Sequence, residues 1–280
     1  MTNRLDRAHG HARAAIVMAS ILAAGGCATQ APTAKHSDWN PQPASAEEQQ
    51  AIDAITRVGR EIHRQDQFVW HAADAYGVAR GDAPAPRDGG YVVTEHDGVV
   101  RVAFLAGTDD ALRVLADVDM SHSSPTVALA PARAPDERER VQMRARATAL
   151  AAAANVCGGA RNTVILPGAD GTMDVYVLAA SSDSNIVPVG GHARVAVSAD
   201  GRTVLALEPY SKACLSFDTR QPGLRVLMTS IVLSDLPAPT HVYTSLTYPW
   251  ELMLPSKTHL WKVADGRVTA IVNDAHDGTK

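Results

Sequence analysis

Histidines, serines and acidic side chains are the residues of this chain with chemistry to offer, and their spacing sets what they can do. Of eleven histidines, nine lie beyond the first thirty residues: His36, His63, His71, His96, His122, His192, His241, His259 and His276. None of the nine has the HxH or HExxH spacing that puts two imidazoles on one metal ion, so no metal site is expected. Ser121-His122-Ser123-Ser124 sets hydroxyls beside an imidazole. Neighbours in one loop seldom form a relay, however, because nucleophile, base and orienting group converge from different elements. There is no GxSxG elbow to present a serine. Gly190-Gly191-His192 reads either as a pocket rim with a general base or as a turn whose glycines take positive φ. Asp117 and Asp119 share one face of a strand, which suits a cation or paired carboxylates and equally the solvent side of an alternating strand. Asp183 and Asn185 lack the glycine and terminal glutamate of a calcium loop. No phosphate loop or dinucleotide fingerprint occurs, so no cofactor is expected. These residues assemble no catalytic set. A hydrolase remains the alternative, with His192 meeting an Asp or Ser from another strand in the fold.

Aromatic side chains offer contact rather than catalysis. Tyr243, Tyr248, Trp250 and Trp261 gather near the C-terminus around Pro249. Exposed, Tyr243, Tyr248 and Trp250 would make a contact patch of the kind that dominates interface energetics. Buried, they would fill the core of the last sheet.

The elements that position these residues follow from periodicity. Ser45 with Glu48 is a capping-box pair, and Ile52, Ile55, Val58 and Ile62 recur at helical spacing, predicting a helix over 46–65. Phe68, Val69, Trp70 and Tyr76 extend it or begin another. Asp97-Gly98 predicts a type I′ hairpin pairing Tyr91 with Phe104 and Val93 with Val102. Leu112, Val114, Ala116, Val118 and Met120 alternate as a third, half-buried strand. A second helix is expected from about Pro135, with Met143, Ala147, Leu150, Ala151 and Ala154 as its apolar stripe and Gly158-Gly159 as its stop. Strands are expected at 163–166, 173–179, 193–197, 203–207, 224–233, 241–246 and 259–272, with Asp170-Gly171, Asp200-Gly201 and Asp265-Gly266 as turns. Ala-Asp-Gly-Arg occurs at 199–202 and 264–267, which reads as recurring turn chemistry. The expected fold is α+β: antiparallel sheets of hairpins and meanders covered by two helices, arranged as two helix-then-meander units, 45–133 and 134–273, that form one domain or two. A polar tail closes the chain at 274–280.

The first 26 residues read as a leader. Arg4, Arg7 and Arg13 precede an apolar run, Ala14 to Ala24, that is too short to span a bilayer. Ala24-Gly25-Gly26-Cys27 resembles the lipobox of bacterial lipoproteins, with Ala24 where Leu is usual. The resemblance implies cleavage before Cys27 and lipidation of that cysteine. Ordinary secretory cleavage near Ala28, leaving a soluble secreted protein, is the alternative. Residues 27–44 are polar and proline-bearing, as a tether would be. Lipidation leaves Cys157 and Cys214, and outside the reducing cytosol such a pair is expected to join. Cys157 falls three residues after Ala154, so the bond would pin the buried face of the second helix to a strand end.

With 280 residues, 46% of them hydrophobic, the chain is neither disordered nor short of core. A net charge of −4 without a basic block argues against a nucleic-acid partner. The segments NTVILP, VYVLAA, GGHARVAVSADGR and SKACL, between Asn162 and Leu215, resemble a group of bacterial exported proteins of unknown function with an N-terminal helix and a β-rich C-terminal half. At the level of fold the helix-plus-meander shape is also similar to cystatin-like and PepSY-like modules, and it implies no activity. The expectation is a lipid-anchored envelope protein at the outer membrane, facing the periplasm. It would serve as a non-catalytic binding or accessory module for another envelope protein or a periplasmic ligand.

Overall fold

A computed structural model describes residues 40–84, 89–181 and 183–272. Cys27, the leader 1–26 and the tail 274–280 lie outside the described residues. Of the expected tether, residues 40–44 are described, and they dock: Pro41 is buried and the Gln42 N–H donates to the Thr258 carbonyl at 2.9 Å.

Helix α1 (Ala46–Arg80) begins where the capping pair puts it. The Glu48 N–H donates to Ser45 Oγ at 3.2 Å, and the Ser45 N–H donates back to Glu48 Oε2 at 2.8 Å. It runs fifteen residues past the expected end at 65, because Val69, Ala72 and Tyr76 carry the apolar stripe onward. At about 1.5 Å per residue, its 35 residues make a rod of roughly 50 Å.

Strands β1 (Gly89–His96), β2 (Val99–Ala106), β3 (Arg113–Asp119) and β4 (Thr126–Leu129) form an antiparallel sheet in chain order. Its first hairpin has the expected register, with Tyr91 opposite Phe104 and Val93 opposite Val102. Positive φ at Asp97 and Gly98 makes that turn. Helix α2 (Glu137–Ala152) follows, capped reciprocally by Asp136 and Glu139. Then come β5 (Arg161–Pro167), β6 (Met173–Ala179), β7 (Ile186–Pro188), β8 (Ala193–Val197), β9 (Val204–Pro209) and β10 (Ser216–Asp218). The second sheet has the order β5-β6-β8-β9, and β7 pairs with β10 separately.

The C-terminal part holds β11 (Val226–Met228), helix α3 (Pro239–Thr247), β12 (Glu251–Pro255), β13 (Leu260–Ala264) and β14 (Arg267–Ile271). The third sheet is β11-β12-β13-β14, with β11 parallel to β12. The fold is thus α+β with mainly antiparallel sheets, and the described residues hold three α-helices rather than two and three four-stranded sheets rather than two meanders. The described residues belong to one compact unit.

Helix α3 corrects the strand expected at 241–246. Its β-branched, hydroxyl-rich sequence favours a strand, but Pro239 fits a first helical turn. His241 Nδ1 accepts the Ala238 N–H at 2.9 Å. Thr244, Ser245 and Thr247 each donate to a carbonyl of their own helix, so the helix can be buried without orphaned hydroxyls at those positions. The strand expected at 224–233 shrinks to β11, and 259–272 divides into β13 and β14 at Asp265-Gly266.

Helix α1 passes the three sheets in turn. Ile52 packs with Leu252, Leu254, Trp261 and Val263 of the third. Ile62 packs with Val164, Leu166, Tyr176 and Leu178 of the second. Val69 and Ala72 pack with Val102 and Val118 of the first. Where α1 meets α3, Gly59 lets the backbones touch: a Cβ there would lie 2.5 Å from the Pro239 carbonyl oxygen.

Candidate functional site

Helix α2 presents two different faces, and the expected stripe is not the buried one. The core face is Ala145, Ala149 and Ala153, four residues apart, against Val175, Val177, Val195 and Val197 of β6 and β8. Methyl side chains allow that close approach. Met143, Ala147 and Leu150, expected to be core, line an open cleft of about 430 Å³ beside the first sheet, Met143 packing against that sheet's core and Leu150 against the second sheet's. Ala147 is exposed, as are Ala151 and Ala154.

The opposite wall is built by Gly89 and by the β2–β3 connection from Gly107 to Leu112. The cleft floor joins a small core: Leu112 and Met143 pack with Val92, Leu105 and Val114. The rim is basic. Arg140 donates to the Asp109 carbonyl at 3.2 Å. Arg144 pairs with exposed Glu137 at 3.0 Å and donates to the Asp200 carbonyl. Arg146 lies 5.1 Å from the Tyr91 ring and donates to Thr163 Oγ1. One carboxylate, Asp109, shares the rim. A second groove of about 300 Å³ shares Gly89 and Arg146 with the first. Tyr76 and Phe104 line it, stacked with centroids 4.7 Å apart.

The residues singled out from the sequence lie elsewhere. His192 is sealed in the core: Nδ1 accepts the Ala179 N–H at 3.0 Å and Nε2 faces the Pro188 carbonyl at 3.3 Å. Burial holds its pKa down to about 4. Both ring nitrogens are engaged by backbone, so it meets no Asp or Ser and is no general base. Its two glycines serve a crosslink instead. Cys157 and Cys214 form a disulfide, with Cα atoms 4.8 Å apart. A Cβ on Gly191, whose φ is +83°, would lie 2.6 Å from Cys157 Sγ, and one on Gly190 would lie 2.8 Å from the Ala213 carbonyl oxygen. Because α2 ends at Ala152, Cys157 is in the turn after the helix rather than on its buried stripe. The bond ties that turn to the loop before β10.

Ser121 to Ser124 form an exposed loop, with the Ser121 N–H held by Asp119. Asp117 is not a solvent-side carboxylate. It accepts from Arg133 Nε at 2.6 Å, and Arg133 Nη1 also donates to Glu139 Oε2 at 2.8 Å. Glu139 is only 3% exposed. Tyr243, Tyr248 and Trp250 form no exposed patch: Tyr243 is buried, and the other two are half-buried against the third sheet's core. Among the described residues no group of three or more His, Cys, Asp or Glu could hold a metal ion. No described helix is long and apolar enough to cross a membrane.

One polar group went unnoticed in the sequence. Asp66 interrupts the apolar stripe of α1, and Tyr243 Oη donates to its Oδ2 at 3.0 Å. Burial pushes its carboxyl pKa up, and the tyrosine's hydrogen bond partly offsets this. Beside it, His63 Nδ1 lies 3.3 Å from Thr247 Oγ1. The crevice lined by the adjoining Gln65, Tyr91 and Thr163 has about 10 Å³, room for a single water and no substrate. This network joins α1 to α3.

No protein-family profile, no curated protein and no solved structure matches the chain.

Proposed function

We propose that this is a lipid-anchored envelope protein acting as a non-catalytic binding module, with the cleft between α2 and the first sheet as its ligand site. The anchor rests on the lipobox-like sequence ending at Cys27, and the binding role on the cleft. Its volume falls in the range of small-molecule sites, and its apolar floor with a few polar groups at the rim is their usual composition. Of the groups with catalytic chemistry that the sequence offers, His192 is committed to backbone and Asp117 to Arg133. The experiment is mass spectrometry of the protein from its native membrane fraction. Under denaturing conditions the mass should start at Cys27, carry acyl chains and gain two protons on reduction. An unmodified chain starting elsewhere would overturn the anchor. Under native conditions a non-covalent small molecule should travel with the protein and be lost in Ala147→Trp, which fills the cleft from an exposed position. Retention of that molecule by the variant would overturn the cleft.

A further inference from the structure

The cleft has an apolar floor and a cationic rim, and the cations differ in how they are answered. Arg144 has a carboxylate partner in Glu137. Arg140 and Arg146 have none among the described residues: Arg140 reaches a backbone carbonyl, and Arg146 the hydroxyls of Thr163 and Tyr91 and the Tyr91 ring face. A guanidinium carries five donors and keeps its charge at any physiological pH, so two neutral hydroxyls leave its charge unanswered and donors to spare. Arg146 also stands where two grooves meet, with Leu112, Met143, Ala147 and Leu150 on one side and Tyr76, Phe104, Leu105 and Leu115 on the other. An anion at Arg146 would therefore have apolar surface running away from it.

We infer that the cleft takes a single-chain amphiphilic anion, its headgroup at Arg140 and Arg146 and its alkyl chain along Met143, Ala147 and Leu150. This inference rests on the cleft being the ligand site. A carboxylate and a phosphate monoester share the required chemistry, because a guanidinium grips either through two parallel donors. The apolar floor supplies affinity in proportion to chain length, about fourfold per buried methylene.

The test uses the full chain carrying Cys27→Ser, so that no covalent acyl group competes, with Met143 observed through its ¹³C-methyl resonance. The probes are dodecanoate, dodecyl phosphate, dodecanol and dodecyltrimethylammonium. One or both anions should shift the Met143 methyl, and the tighter of the two identifies the headgroup. The corresponding ten-carbon anion should bind roughly tenfold or more weakly. Arg146→Met and Arg140→Met keep the aliphatic stems and should each weaken the anion roughly tenfold or more. Dodecanol should bind more weakly than the anions and be indifferent to both substitutions. Arg140→Met lies at the rim and guards against loss of fold in Arg146→Met. Equal binding of dodecanol or the ammonium probe at Met143 would overturn the anionic assignment and leave the cleft reading standing. Anion binding that leaves Met143 unmoved, or no binding by any probe, would overturn the inference. The molecule that co-purifies with the native protein then decides the cleft reading separately.

Discussion

Lowering the pH from 7 to 5 should destabilise this protein by an amount that two buried histidines set. His192 and His241 are 2% and 5% exposed. Burial holds the first near a pKa of about 4, and burial together with the neighbouring His192 holds the second near about 3. Both are neutral and hydrogen-bonded to backbone in the folded state: His192 accepts the Ala179 N–H, and His241 accepts the Ala238 N–H that opens α3. In the unfolded chain an imidazole titrates near 6.5. Between that value and the folded values the unfolded chain binds two protons that the folded chain does not, so stability falls as pH falls. The loss is about 1.4 kcal/mol per pH unit for each ring once pH is well below 6.5. From pH 7 to pH 5 it amounts to about 2 kcal/mol per ring and about 4 kcal/mol for both. His63, also held down by burial, adds to the same trend. Asp66, pushed up by burial, opposes it at more acid pH, since its folded form takes up a proton first. The assay is urea unfolding followed by tryptophan fluorescence, which reports on buried Trp261. The midpoint should drop sharply between pH 7 and 5. In the double variant His192→Gln, His241→Asn, which keeps an amide acceptor at each site, the drop should largely vanish. A wild-type midpoint that does not move, or a double variant with the full drop, would refute the reasoning.

Three further outcomes are expected. Removing the crosslink with Cys157→Ser and Cys214→Ser, which lie 57 residues apart, should lower stability by about 4 kcal/mol in the chain-entropy model, read as a fall in urea midpoint. Arg133→Met strands the buried Glu139 carboxylate and should lose about 3 kcal/mol, whereas Arg133→Met combined with Glu139→Gln should recover much of that in the same measurement. Gly59→Ala should lower the thermal midpoint although it raises helix propensity by about 1 kcal/mol, because overpacking against Pro239 and Val242 costs about 1–3 kcal/mol; a rise in midpoint would show that α1 and α3 can separate freely.

Local chemistry was legible in the sequence, and the face an element turns inward was less so. The Ser45–Glu48 box, the Asp97-Gly98 hairpin and its register are set by neighbours in the chain, and the structure has them as read. The stripe of α2 is shifted from the periodic reading: Met143 and Leu150 reach only its half-buried margins, and Ala147, Ala151 and Ala154 are exposed. Ala145, Ala149 and Ala153 pack best only because the sheet comes close, a fact no helical wheel contains. α3 departs from its strand-like composition because Thr244, Ser245 and Thr247 satisfy their hydroxyls on carbonyls of their own helix once it is buried. The cleft follows from the same difference: the spacing of Met143, Ala147 and Leu150 predicts core, and nothing in the sequence around Arg140 and Arg146 sets them at the rim of a cleft.

Helix α1 spans the three sheets, and this has a consequence for how the chain must be made. Synthesis delivers residues 46–80 early, yet the core around Ile52 is not complete until β12 and β13 exist, and those strands end at Pro255 and Ala264. At typical elongation rates the interval is on the order of 10–40 s. Through that time the N-terminal end of the helix, at Ile52, keeps apolar surface that the last-made sheet completes, and contacts so distant in sequence form slowly. A chain truncated before residue 250 would lack Leu252, Leu254, Trp261 and Val263 and leave the Ile52 end of the stripe open. The rod that organises the finished molecule is therefore also the segment a chaperone would have to guard longest.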